Sequence, residues 1–237
     1  MRRIWIAFGI SFIPKLHAAC IAEYNETIQQ RYNKNNYTYE SFCKVWPATR
    51  HLIAATSIRG SDTSDLEVLV IDSTTGQVIA ETRELNVFDD GAIYSDGFRI
   101  DTAPYRLSAD VLAFGIRISW RGSSQPNPYN AETLNLYIVQ DSELIKVLNG
   151  LSAYESIGEW DLRCKGEFIT AKTSLHMKPL IGGYSDVLLK KTTEQSESRM
   201  TTEGCKTSIT SSKRRSYTLH FEKDKYEVPK QLLFHMN

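Results

Sequence analysis

Residues 65–82 read DLEVLVIDSTTGQVIAET. An apolar run breaks at Asp72, the turn formers Ser73, Thr74, Thr75 and Gly76 follow, and a second apolar run begins after Gln77. Two strand-length runs joined by a polar turn that ends in glycine make a β-hairpin. The pattern recurs from His51 onward. In VLAFGIRISW, residues 111–120, Leu112, Phe114, Ile116, Ile118 and Trp120 fall on one face, and Val111, Ala113, Gly115, Arg117 and Ser119 on the other. That is the period-two alternation of a strand with one wholly apolar side. TLNLYIV repeats it with Leu134, Leu136 and Ile138, and SYTLHFE with Tyr217, Leu219 and Phe221. Turn chemistry separates the runs at Thr75-Gly76, Asp90-Gly91, Asp96-Gly97, Gly182-Gly183 and Glu203-Gly204. The fold expected is all-β and mostly antiparallel.

The hairpins also suggest a longer period. Opening strands begin near His51, Val111 and Phe168, and each is followed by a hairpin strand: DLEVLVID, TLNLYIVQ and YSDVLLKK. A further strand closes two of the units, around FRIDTAPYRL and YTLHFEKDKYEV. Units of this size suit propeller-like repeats of four strands. A β-sandwich or an irregular barrel is the competing architecture, because any meander of hairpins shows some periodicity.

The N-terminal region reads differently. Arg2 and Arg3 precede the apolar run IWIAFGISFI, and the polar, small-residue stretch KLHAA follows. That order describes a secretory signal peptide over residues 1–19. A membrane anchor needs about 20 apolar residues, and Pro14, Lys15 and His17 interrupt this run well before that. No membrane span is expected later in the chain either. Residues 20–45 are expected to form a short helix and a loop, ahead of a single β domain over 46–237. Within IAEYNETIQQRYN, Ile21, Tyr24, Ile28 and Tyr32 lie at helical spacing. The Asn- and Tyr-rich NKNNYTYESF then reads as a surface loop leading to Cys43.

Cys20 occupies the place where a bacterial lipoprotein carries its acylated cysteine, but His17 stands where such signals have an aliphatic residue. Kept as a thiol, Cys20 completes an even set with Cys43, Cys164 and Cys205. Two bridges, Cys20–Cys43 and Cys164–Cys205, are expected in an oxidising compartment. The chain carries 28 basic and 28 acidic residues, and the first nineteen contain Arg2, Arg3 and Lys15 but no acid. The remainder is weakly acidic, which argues against nucleic acid or an anionic membrane surface as partner.

Catalytic and metal motifs are scarce. His51, His176, His220 and His235 form no HExxH and no helical pair, and no Cys-x-x-Cys occurs. There is no Gly-x-Ser-x-Gly and no glycine-rich phosphate loop. FDDG and YSDG lack the alternating oxygen ligands of a calcium loop. No metal and no cofactor is therefore expected. One segment, GLSAYESIGEWDLRCKGEF, puts Glu159 and Asp161 two apart on one strand face, with Trp160 on the other as a core anchor. Paired carboxylates can divide acid and base roles in glycoside hydrolysis, although solvated acids beside a buried Trp explain the same pattern. The loop WRGSSQPNPYN, residues 120–130, is the better recognition candidate. Pro126 and Pro128 stiffen it, and it offers Arg121, Asn127 and Tyr129.

Taken together, CKVWPA, DLEVLVIDSTTGQVIAE, the FGIR strand, NPYN and GEWDLRC resemble a group of uncharacterised secreted proteins of Gram-negative bacteria. That resemblance implies a periplasmic or secreted location and carries no activity with it. The D-x-x-T-G turn at Asp72–Gly76 also resembles the blade unit of repeat propellers. The function expected is a non-enzymatic envelope protein that binds a protein or glycan partner. A periplasmic glycan hydrolase and a structural component of a surface assembly are the alternatives.

Overall fold

The computed structural model describes residues 22–33, 37–89, 91–179 and 183–234. One helix, α1 (Ala22–Asn33), precedes two meanders of four strands. The first is β1 (Tyr39–Val45), β2 (Leu52–Arg59), β3 (Thr63–Ile71) and β4 (Val78–Asp89). The second is β5 (Ile93–Arg106), β6 (Leu112–Gly122), β7 (Tyr129–Gln140) and β8 (Glu143–Trp160). They join edge to edge in the order β1-β2-β3-β4-β8-β7-β6-β5, through a parallel contact of Glu81 with Glu143. The path folds back on itself until β1 and β5 approach, with the Phe42 and Phe98 rings 5.2 Å apart. They do not pair, so the sheet is not closed into a barrel.

Three apolar layers hold this body together. Between the meanders, Ile53, Ala55, Leu66, Val68 and Val70 pack with Phe114, Ile116, Ile118 and Tyr137. Outside the first meander, Ile28 and Tyr32 of α1 cover Leu52, Ala54, Leu69 and Ile71. Outside the second, Leu134, Leu136, Val147 and Leu148 are covered by Val187, Leu189, Leu219, Tyr226 and Leu232 from the C-terminal third. Both faces of β2, β3, β6 and β7 are thus covered over much of their length, which is why their central residues are so uniformly apolar. α1 is further tied down by Arg31 and the Tyr32 hydroxyl, both bonded to the buried Glu67 carboxylate.

β8 is the hub. One edge pairs with β7, while its other edge is shared by β4, by β13 (Lys225–Tyr226), by Leu233 and by β9 (Gly166–Met177). The sharing turns on Gly150, whose φ of +67° suits glycine, and whose N–H donates to the Asn135 side chain at 2.7 Å. Beyond it, the outer part of β8, Tyr154–Trp160, stays paired with β7 as far as Ile157 and then runs on along the 120–130 loop. β9, β10 (Val187–Thr201) and β11 (Gly204–Leu219) pair successively onto this outer part as a four-stranded arm. The short β12 (Phe221–Glu222) and the 3-10 turn Lys230–Leu232 complete the chain.

All-β architecture is therefore observed, with the expected hairpins β2–β3, β6–β7 and β9–β10 in place. They belong to one hydrogen-bonded sheet, and the first two pack face to face as in a sandwich. Trp120, Phe114 and Ile116 are buried as expected. Trp160 is not a core anchor: it is 38% exposed, because β8 runs past the end of the body before reaching it. The segment read as a loop before Cys43 carries β1, whose Tyr39, Cys43 and Val45 pack toward α1. The expected Cys20–Cys43 bridge involves Cys20, and the signal segment covers residues 1–19; both lie outside the described residues.

Candidate binding groove

From Lys190 to Arg215 the arm is mostly polar, and its large apolar side chains, Met200 and Ile209, are exposed, so neighbouring strands and a covalent link define it more than apolar burial does. At its tip the turn after β8 is built around Asp161, whose carboxylate accepts from the N–H groups of Arg163 and Cys164 at 2.9 and 2.8 Å. These bonds hold the Asp161 carboxyl below the usual range, with the Arg163 N–H the largest contributor. The turn places the buried Cys164 in a disulfide with Cys205 at the start of β11, with Cα atoms 5.6 Å apart. On the same side of the sheet Phe168 lies across Gly158, where a Cβ would come within 2.3 Å of its ring. Only glycine admits the ring there.

The opposite face is open. Glu159 of β8 is in direct register with Glu167 of β9, and Glu167 with Glu197 of β10. Directly opposed residues share a face of the sheet, so three glutamates form one row across three strands. Ile157 and Ile169, also directly opposed, lie beside that row and are 41% and 40% exposed. Arg199 reaches the Glu197 carboxylate at 2.5 Å. Its guanidinium is held above its usual pKa first by that hydrogen bond, then by the charges of Glu197 and Glu167. The row and the isoleucines line a cleft of about 630 Å³ with Asn127, Gln195 and Thr210. A second hollow of about 430 Å³, lined by Pro126, Trp160 and Lys165, shares Asn127 and all three glutamates. The two make one groove.

The 120–130 loop forms one bank of it. The N–H groups of Gly158 and Trp160 donate to the carbonyls of Pro128 and Pro126, at 3.2 and 2.7 Å, which seats the loop against β8. Of the three residues expected to bind, Asn127 lines the groove. Tyr129 is in register with Ile157, and its hydroxyl donates to Glu155 at 3.3 Å. Burial, and then the Glu155 charge, push that phenol's pKa up. Arg121 is not brought to this face. It pairs with Asn130 in the alternate register and forms an ion pair with Asp96 at 2.6 Å.

The proposed carboxylate pair stays together, since Glu159 and Asp161 both line the second hollow, but the two are held differently: Glu159 is in the row, whereas the Asp161 carboxylate accepts from two N–H groups of the turn past the end of β8. Glu167 and Glu197 escape a reading of the chain alone, because their proximity to Glu159 depends on the register of two hairpins. The signal that could have found them is the Cys164 turn, which fixes the register of β8 against β9 once its centre is known.

Elsewhere, charged groups are consumed structurally. Arg117 bridges Asp101 and Glu132 at 2.6 and 2.7 Å. Burial works to raise the Asp101 pKa, but the Ala103 N–H, Arg117 and the Tyr105 hydroxyl together hold it below the usual range. His176 is exposed on β9, and His220 sits between strands with Nδ1 2.8 Å from Asp186. Among the described residues, no group of three or more His, Cys, Asp or Glu is placed to hold a metal ion. Nor is any helix among them long and apolar enough to cross a membrane. No family model, no curated protein and no solved structure matches the chain.

Proposed function

We propose that this chain is a non-enzymatic envelope protein, periplasmic or secreted, that binds a protein or glycan partner in the groove of the arm. The observation that carries this reading is the row Glu159–Glu167–Glu197. Like charges directly opposite one another in a sheet are destabilising. A local rule broken with only Arg199 ion-paired to the row, and Lys165 lining the same hollow, is the kind of feature kept where function outweighs stability. The row lies beside the exposed Ile157 and Ile169, so the groove suits a partner that offers a positive group next to an apolar surface. The Cys164–Cys205 disulfide is compatible with an oxidising compartment.

Hydrolysis is the weaker reading. A glycosidase sets its carboxylates on opposite sides of a scissile bond, and these glutamates rise from a single wall.

Probing glycan and peptide arrays with labelled protein tests the proposal. Wild type and Arg121→Ala should bind the same species, while Glu159→Gln/Glu167→Gln and Ile169→Ser should lose them. Loss in Arg121→Ala with the groove variants unaffected would move recognition to the other face. New reducing ends released from a bound glycan, and abolished by Glu159→Gln, would replace the reading with hydrolysis.

A further inference from the structure

β11 is sixteen residues long, and among the described residues it pairs with β10 alone. Its second edge therefore presents backbone N–H and C=O groups with no neighbouring strand. Natural sheets blunt such edges by keeping them short, bulged, covered or charged. β11 is long, and only Gly204, Ser211, Tyr217 and Leu219 escape full exposure. One bulge, at Thr210, interrupts the ladder to β10. Charge is the remaining device, and it has one sign. Lys206, Lys213, Arg214 and Arg215 lie on the strand with no acid among its residues. Lys206 is ion-paired with Glu203, whereas Lys213, Arg214 and Arg215 make no ion pair among the described residues.

We propose that the free edge of β11 accepts an acidic extended segment of another protein by β-strand addition. In that mode main-chain hydrogen bonds supply affinity and alternate side chains supply selection. Lys213 and Arg215 stand opposite Thr193 and Lys191 and so share one face of the sheet. An incoming strand with acids at every second position meets both. A second copy of this chain is disfavoured, since pairing two β11 edges sets four positive charges against four. The edge is also held in shape before any partner arrives. Cys205 fixes one end through the disulfide, and the buried Leu219 fixes the other. Holding a binding element in its bound form lowers the ordering cost of association. The groove opens on the same face of the arm and touches β11 at Thr210, but Lys213 and Arg215 do not line it.

The test uses a labelled alternating Thr-Glu peptide of about ten residues, the length of a long natural strand. Three comparisons accompany it: a Thr-Gln peptide, a Thr-Glu peptide N-methylated at every second amide along one edge, and at every second amide along the other. Saturable binding to the intact protein is expected, weakened about tenfold or more in Lys213→Glu/Arg215→Glu and unchanged in Arg121→Ala. One of the two N-methylated peptides should lose binding with its charge intact, and the amides of residues 206–215 should gain exchange protection. Equal binding by both N-methylated peptides would show simple charge attraction and overturn strand addition. Concentration-dependent dimerisation that protects the same amides without peptide would overturn the choice of partner.

Discussion

β6 and β10 are both long strands with antiparallel partners on each side. Phe114 and Ile116 of β6 are wholly buried, whereas Gln195 and Arg199 of β10 are exposed to solvent. Each fully buried Phe or Ile stabilises a fold by roughly 1.5–3 kcal/mol relative to an exposed one, and the body contains many such residues. From Lys190 to Arg215 the arm has none. A mostly polar sheet specifies its register weakly. The arm offsets this with the Asp161 turn, the Thr210 bulge and the disulfide at its tip. The contrast teaches that the same hairpin can be a stability element or a presentation surface, depending on whether a layer covers it. Freed from packing, the arm can carry residues that a core would reject, including three glutamates in register.

The comparison can be broken most forcefully in the body. Phe114→Ala should cost about 3–5 kcal/mol, the usual range for removing a buried aromatic side chain, measured by denaturant unfolding. A small loss would mean that the layer between the meanders is not the main store of stability. Next comes the staple. Cys164 and Cys205 are 41 residues apart, and removing the link with Cys164→Ser/Cys205→Ser should cost about 2–4 kcal/mol. That loss should fall on the arm, with the near-ultraviolet signal of the buried Trp46 and Trp120 intact. Trp160→Ala should cost less than about 1 kcal/mol, the surface range, since the side chain is partly solvated; a loss comparable to Phe114→Ala would contradict its placement.

Smallest is the groove. Glu167→Gln removes the central charge of the row, so it should stabilise the arm by about 0.2–1 kcal/mol while weakening partner binding. A destabilising result would show that the row is not under charge stress. Acid sharpens the same picture at the tip. The Asp161 pKa is depressed from 3.8 in the folded chain, so its contribution is present above 3.8 and lost as pH falls through the folded value. The Arg163 and Cys164 amide resonances should accordingly titrate with a midpoint below 3.8 and stay constant near neutral pH.

The body was largely legible from residue order. Alternation in 111–120 gives the buried Phe114, Ile116, Ile118 and Trp120, and the turn at Gly76 has the positive φ its sequence demands. What alternation cannot supply is the extent of the covering layer. Trp160 looked like an anchor because its strand alternates correctly, yet the body ends before it. β1 was hidden for the opposite reason: Tyr39, Ser41 and Cys43 alternate with Glu40, Phe42 and Lys44, and that mixture suits a half-covered edge but resembles a polar loop. Asn127 and Glu159 were visible one at a time. Their meeting in one groove depends on how the loop seats against β8, and Glu167 and Glu197 join them only through register across β9 and β10.

Residue-resolved hydrogen exchange on the folded Cys164→Ser/Cys205→Ser variant tests the division between body and arm most directly. Amides from Lys190 to Arg215 should exchange markedly faster than in the wild type. Those of Ile53–Ala55, Val68–Val70 and Phe114–Ile116 should be unchanged, because the body draws its stability from burial that the staple does not touch. Equal acceleration in both regions, or an arm that stays fully protected without its disulfide, would contradict the account.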